Sequence, residues 1–141
     1  MCFVWLFEAR ADRTIGLPNY WGVGDANSTG ATSFHSTART KGSPDFAIAS
    51  LEDKSFDLAL NQDSLPEMNE STMCGYLDEI ARLVDGRFLS INHESGQAVG
   101  GGFRHGIVRA ATDQRPAFHP VYRMPYWMRP GYVEELFELR G

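Results

Sequence analysis

Two short polar clusters follow apolar runs in this chain: Asn61, Gln62, Asp63 and Ser64 after FDLAL, and Asn92, His93, Glu94 and Ser95 after FLSI. Four polar side chains in a row exceed what a strand end needs for a turn, and they point to a site. His93 carries an imidazole, which is available in its neutral form near pH 7 and can take a proton from a hydroxyl. A carboxylate at Asp63 or Glu94 can act as a base itself or orient that ring. A third group, YRMPYWMRPGYVEE, holds Arg123, Trp127, Arg129 and Tyr132. Aromatic faces and guanidinium forks of this kind can stack on and hydrogen-bond a sugar or a nucleotide, and they can equally form an edge hairpin with cross-strand aromatic pairs.

Each candidate also has a structural reading. Ser64 and Glu67 fit an S-x-x-E capping box with Pro66 inside the first turn, and Asp63 can cap the same helix end. Asp63 and Glu94 as a carboxylate pair would also suit glycoside hydrolysis, although such pairs are a common accident. Cys2 and Cys74 stand in no ligand spacing, so no metal site and no disulfide is expected, and reduced thiols fit a cytoplasmic protein. A net charge of -5 with thirteen scattered Lys and Arg residues argues against nucleic acid as a partner. The apolar run in MCFVWLFEAR is too short for a membrane span or a leader. It reads as the remains of a buried helix or strand, so a fragment is expected.

The elements that must position these residues follow from periodicity. From Thr14 to Pro44 the chain is rich in Gly, Ser, Thr and Asn and reads as loop, which puts a loop-rich segment at 1–45 and the organised part at 46–141. FAIAS is a short apolar run, and FDLALN has the length and flanks of a buried strand. Between Met68 and Val84 the spacing of Met73, Leu77, Ile80 and Val84 predicts a helix with one buried face, stopped by Gly86. GRFLSIN then supplies a second strand, giving a strand–helix–strand crossover and hence an α/β sheet with at least two parallel strands. SGQAVGGGFRHG reads as a mobile loop without regular structure, and residues 19–44 and 96–104 are expected to exchange fastest. IVRAATDQ reads as a short helix, and FHPVYRMPYWM with YVEELFEL as an antiparallel pair at a sheet edge. In open α/β sheets ligands bind at the carboxyl ends of the strands, where both polar clusters lie.

Three blocks in order, the strand tip DS-x-x-EM (Asp63 to Met68), the strand tip SINHE (Ser90 to Glu94) and the tail R-x-P-x-W-x-R-x-GY-x-EE (Arg123 to Glu135), resemble the C-terminal half of the sugar O-methyltransferase family. The resemblance covers roughly residues 46–139. It implies part of a Rossmann-like sheet of the class I type and dependence on S-adenosylmethionine. It further implies methyl transfer to a hydroxyl of a small-molecule sugar or glycan. On that resemblance Asn61, Gln62 and Ser64 line the cofactor's methyl group and Arg123, Trp127, Arg129 and Tyr132 bind the acceptor. His93, Asp63 and Glu94 carry the chemistry, with His93 as general base, Glu94 orienting its ring and Asp63 across the gap. The chain departs from the family where the cofactor is held. The glycine-rich turn has no counterpart, and Gly16 stands where the family carries a ribose-binding Asp, unless Asp12 or Asp25 substitutes. Weak cofactor binding is therefore expected. The rival reading is a non-catalytic remnant that keeps a binding surface or a partner interface.

Overall fold

The computed structural model describes residues 3–8, 13–18, 51–96, 98–99 and 103–140. The apolar alternation of FDLALNQ forms a central strand, β3 (Phe56–Gln62), after two earlier strands, β1 (Phe3–Glu8) and β2 (Arg13–Pro18). Ala59 and Asn61 of β3 are buried on one face, while Leu58 and Leu60 are half-buried on the other. A single 3₁₀ turn (Leu65–Glu67) leads into helix α1 (Glu70–Leu83), which buries Met73, Leu77, Ile80 and Leu83, as the period of 3.6 requires. Strand β4 (Val84–His93) follows without a loop and runs parallel to β3, with Ala59 opposite Phe88 and Asn61 opposite Ser90. The expected strand–helix–strand unit is present.

Several expectations need correction. The capping box at Ser64 does not form, because the Ser64 side chain caps nothing. Asn69 caps α1 instead, its side-chain oxygen accepting from the Thr72 N–H at 2.8 Å, which suits a residue in extended conformation three places before that donor. Gly86 does not stop the helix, which ends at Leu83. It lies inside β4, where a Cβ would stand 2.2 Å from the backbone oxygen of Asp57, beside the register irregularity between Phe56 and Leu58. Here glycine permits the close approach of two strands. Thr14 to Pro18, read as loop, belong to β2, which pairs antiparallel with β1. The glycine-rich stretch holds a short antiparallel pair, β5 (Ala98–Val99) with β6 (Phe103–Arg104). The FAIAS run and the expected mobility of 19–44 lie outside the described residues.

Helix α2 (Val108–Thr112) and the strands β7 (Phe118–Pro125) and β8 (Tyr132–Leu139) complete the chain, the last two as the expected antiparallel pair. The sheet order is β2-β1-β3-β4-β8-β7, in which β3 and β4 are the one parallel neighbouring pair among the described strands. β1 runs antiparallel to β3, with its first residue, Phe3, beside Gln62. Both helices pack into one buried cluster with Val4, Leu6, Ala59, Phe88 and Phe137. Phe88, Phe118 and Phe137 meet ring to ring at 5.8–5.9 Å.

One row of this same face is polar. Two residues beyond the apolar row Ala59–Phe88–Phe137, the register aligns Asn61 of β3, Ser90 of β4, Glu135 of β8 and Arg123 of β7. Asn61, Ser90 and Glu135 are buried. The sheet thus changes from apolar core to hydrogen-bonding surface toward the carboxyl ends of the parallel strands.

Candidate functional site

Asp63 leaves β3 with φ of 57°, a left-handed conformation that Asp tolerates better than most residues, and its N–H donates to the Ile91 carbonyl at 3.0 Å. That turn sends its carboxylate across the sheet edge. The Tyr132 hydroxyl and the Arg129 guanidinium both donate to it, and Arg129 also sits 4.1 Å above the Tyr132 ring. Tyr132 is placed by β8, where it pairs directly opposite His93 of β4, and the two rings lie 5.8 Å apart. Arg129 is placed by the turn between β7 and β8, where the Tyr132 N–H donates to the Arg129 carbonyl at 3.2 Å. Three segments far apart in sequence therefore converge on one strand tip.

Electrostatics follow from these contacts. Burial opposes ionisation of Asp63, but donation from Tyr132 and Arg129 outweighs it and holds the carboxyl below the usual aspartate value. Tyr132, pushed up to about 12 first by burial and then by its bond to Asp63, stays a phenol. Burial lowers the His93 pKa, and the positive form of His105 adds to the effect, outweighing the attraction of Asp63 and Glu67. His93 is therefore neutral at pH 7 and able to accept a proton. Its Nδ1 lies 3.2 Å from the Ser95 hydroxyl. The neighbouring imidazole of His105 stands edge-on at 4.9 Å, with its Nδ1 3.1 Å from the Pro66 carbonyl. Replacing His105 with Gln is expected to raise the His93 pKa part of the way back, since burial persists. An NMR pH titration of the ring protons checks this, and an unchanged midpoint would show that His105 exerts no field on His93.

The candidate residues separate into groups. Asp63, His93, Arg129 and Tyr132 come together at the strand tips. Glu94 does not orient His93. It accepts both Nη groups of Arg123, one at 2.6 Å, while Ser95 takes the place beside the ring. Asn61 and Ser64 are fully buried and bonded to each other, the Asn61 amide donating to the Ser64 hydroxyl. Asn92 completes this network, its amide donating to Asn61 Oδ1 at 2.9 Å and to the Ser90 hydroxyl at 2.8 Å, and its Oδ1 accepting from the Ser64 N–H at 3.2 Å. Gln62 is exposed, and so is Trp127, at 85%.

Sequence reading missed His105, Arg109 and Glu135. Glu135 had left a signal. In YVEELFEL it shares the period-two face of Val133, Phe137 and Leu139, so a carboxylate stands at a core position. It is buried between Arg109, at 2.7 Å, and Arg123, at 3.5 Å.

The described residues do not fit S-adenosylmethionine. β1 lies beside β3 in the opposite direction, so its first residue, Phe3, and not its end lies beside the strand tip that carries Asp63. Asn61 and Ser64 are turned inward on each other. Asp12 and Asp25, the candidate ribose carboxylates, lie outside the described residues.

No family model matches the chain, and no curated protein matches it. Among solved structures, the chain is similar to the PH0226 protein from Pyrococcus horikoshii OT3, with a TM-score of 0.52 and 12% identity over 64% of this chain and 55% of that one. It is also similar to a Sulfolobus solfataricus protein provisionally classed as a type 11 methyltransferase, with a TM-score of 0.48 and 17% identity over 67% of this chain and 56% of that one. The first likeness is one of fold alone, and the second, below 0.5, carries no argument. The chain spans just over half the length of either. Among the described residues no helix is long and apolar enough to cross a membrane. The chain thus shares part of its fold with the PH0226 protein.

Proposed function

We propose that this chain is the acceptor-binding part of a sugar O-methyltransferase type of protein. On this reading it holds a sugar hydroxyl at the carboxyl ends of β3 and β4, with His93 as the group that takes the hydroxyl's proton. The observation that carries the reading is the convergence of His93, Asp63, Tyr132 and Arg129 at that edge. His93 contributes a neutral imidazole. Asp63, its carboxylate committed to Tyr132 and Arg129, acts as the clamp that fixes the β7–β8 turn over the site. Arg129, Tyr132 and Trp127 at that turn offer donors and an exposed aromatic face to a sugar. Asn61 and Ser64 support the clamp from beneath, and Gln62 is free to reach solvent-borne ligand. S-adenosylmethionine belongs to the reading through the sequence resemblance. Since the described residues do not cradle it, transfer by the isolated chain is not part of the proposal.

Titrating the chain with a panel of methyl glycosides is expected to shift the His93 ring signals in NMR at millimolar concentrations. Calorimetry with S-adenosylmethionine is expected to give no binding at micromolar concentrations, because each missing charge-assisted hydrogen bond removes about 1.5–3 kcal/mol. A panel that leaves His93 unmoved would remove the acceptor site, and micromolar cofactor binding would restore a complete enzyme. The second reading, a non-catalytic interaction module, is favoured by one observation. Among the described residues, the exposed large apolar side chains Val121, Met124, Trp127 and Met128 all fall in one stretch of β7 and its turn.

A further inference from the structure

Where the polar row of the sheet meets α2, through Arg109 bound to Glu135, there is an open cleft of about 500 Å³, lined by Glu94, Ile107, Arg109, Ala110, Asp113 and Arg123. Its size is within the range of small-molecule sites. The His93 ring lies 4.9 Å from His105, and Ile107, two residues further on, lines the cleft, so one short segment borders both and a ligand that runs along it can touch His93 with one part and enter the cleft with the next.

The chemistry of the lining is specific. Arg109 binds Asp113 at 2.8 Å and Glu135 at 2.7 Å, while Arg123 binds Glu94 and lies 3.5 Å from Glu135. The buried Glu135 fixes both guanidiniums from below. Two positive groups therefore meet three carboxylates, and the cleft as a whole is slightly negative. A phosphate entering here would find both arginines already neutralised and two carboxylates, Glu94 and Asp113, facing it. Hydroxyl groups, by contrast, can use the remaining lone pairs and N–H groups of these planar pairs without breaking them. Ile107 and Ala110 supply an apolar surface for the C–H face of a sugar ring.

We propose that this cleft is a second sugar subsite, so that the acceptor is an uncharged glycan or glycoside of at least two units rather than a monosaccharide or a sugar phosphate. The proposal rests on the acceptor reading of the His93 site and adds the length and charge of the substrate to it.

The test is a glycan array and solution titration of the whole chain against neutral mono-, di- and trisaccharide glycosides and their phosphorylated counterparts. Neutral glycans of two or more units are expected to bind at least tenfold more tightly than the corresponding monosaccharide, with the phosphorylated forms weaker. Ala110→Trp, a change at an exposed helix position that fills the cleft, is expected to remove that advantage with the melting temperature and circular dichroism retained. Asp113→Asn tests the polar lining independently. Monosaccharides that shift His93 and bind as well as longer glycans would overturn the subsite while leaving the acceptor reading intact. So would preferred binding of sugar phosphates, or an Ala110→Trp variant that keeps the advantage. An array with no neutral glycan bound would overturn both.

Discussion

Phe88→Ala is expected to cost about 3–5 kcal/mol of folding stability, the usual loss for a phenylalanine deleted from a packed core. Phe88 is fully buried in β4 and packs against Phe118 and Phe137 from the two antiparallel strands. A cavity there would not be refilled easily, because its neighbours are held by register on β7 and β8. Small domains hold only about 5–15 kcal/mol in total, so the variant should unfold at markedly lower urea. The consequence extends to the site, since Phe88 anchors the strand that carries Asn92 and His93. Val121→Ala, at an exposed position of β7, is expected to change stability by less than about 0.5 kcal/mol. Equal midpoints for the two variants would mean that the three-ring cluster is not the core of the sheet.

Gly86→Ala is expected to destabilise by about 3 kcal/mol, at the upper end for overpacking, because the obstacle is backbone and cannot rotate away. The added Cβ would meet the Asp57 oxygen at 2.2 Å, and relief requires β3 and β4 to separate. These two strands form the parallel pair whose ends carry Asp63 and His93, so the same variant should also broaden the His93 ring signals. Gly75→Ala supplies the opposite sign. Gly75 lies exposed within α1 with nothing within 4 Å of an added Cβ, and alanine there is expected to stabilise by about 1 kcal/mol. Thermal or urea unfolding of the pair checks both. A Gly86→Ala variant as stable as the parent would show that the strands do not approach as closely as described.

The success of local reading varied with what each residue depends on. Helix α1 was legible because Met73, Leu77 and Ile80 repeat at the helical period, which is a property of the segment itself. Its cap was not, because S-x-x-E at Ser64 and the Asn69–Thr72 pair are both sound signals, five residues apart, and the choice between them depends on where the chain turns. Ser64 is drawn away by Asn61 and Asn92, partners that lie three and twenty-eight residues from it. Gly86 had the spacing of a helix stop, but the reason for a glycine there is the backbone of another strand.

The sequence by itself determined the strand–helix–strand unit, the short helix after it, the antiparallel pair at the edge and the clustering of polar groups at two strand ends. Each of these follows from hydrophobic period and turn chemistry, which act over a few residues. Only the tertiary structure decided which polar groups meet. Asp63 is bound by Arg129 and Tyr132, 66 and 69 residues away, and Glu94 is taken from His93 by Arg123. The polar row from Asn61 to Arg123 likewise exists only through the register of four strands. The direction of β1 was also beyond local reading, because an apolar alternation is the same read forwards or backwards, and hydrogen bonding to a neighbour is what orients a strand. That one orientation puts Phe3 beside Gln62 and takes the end of β1 away from the strand tips that carry Asp63 and His93.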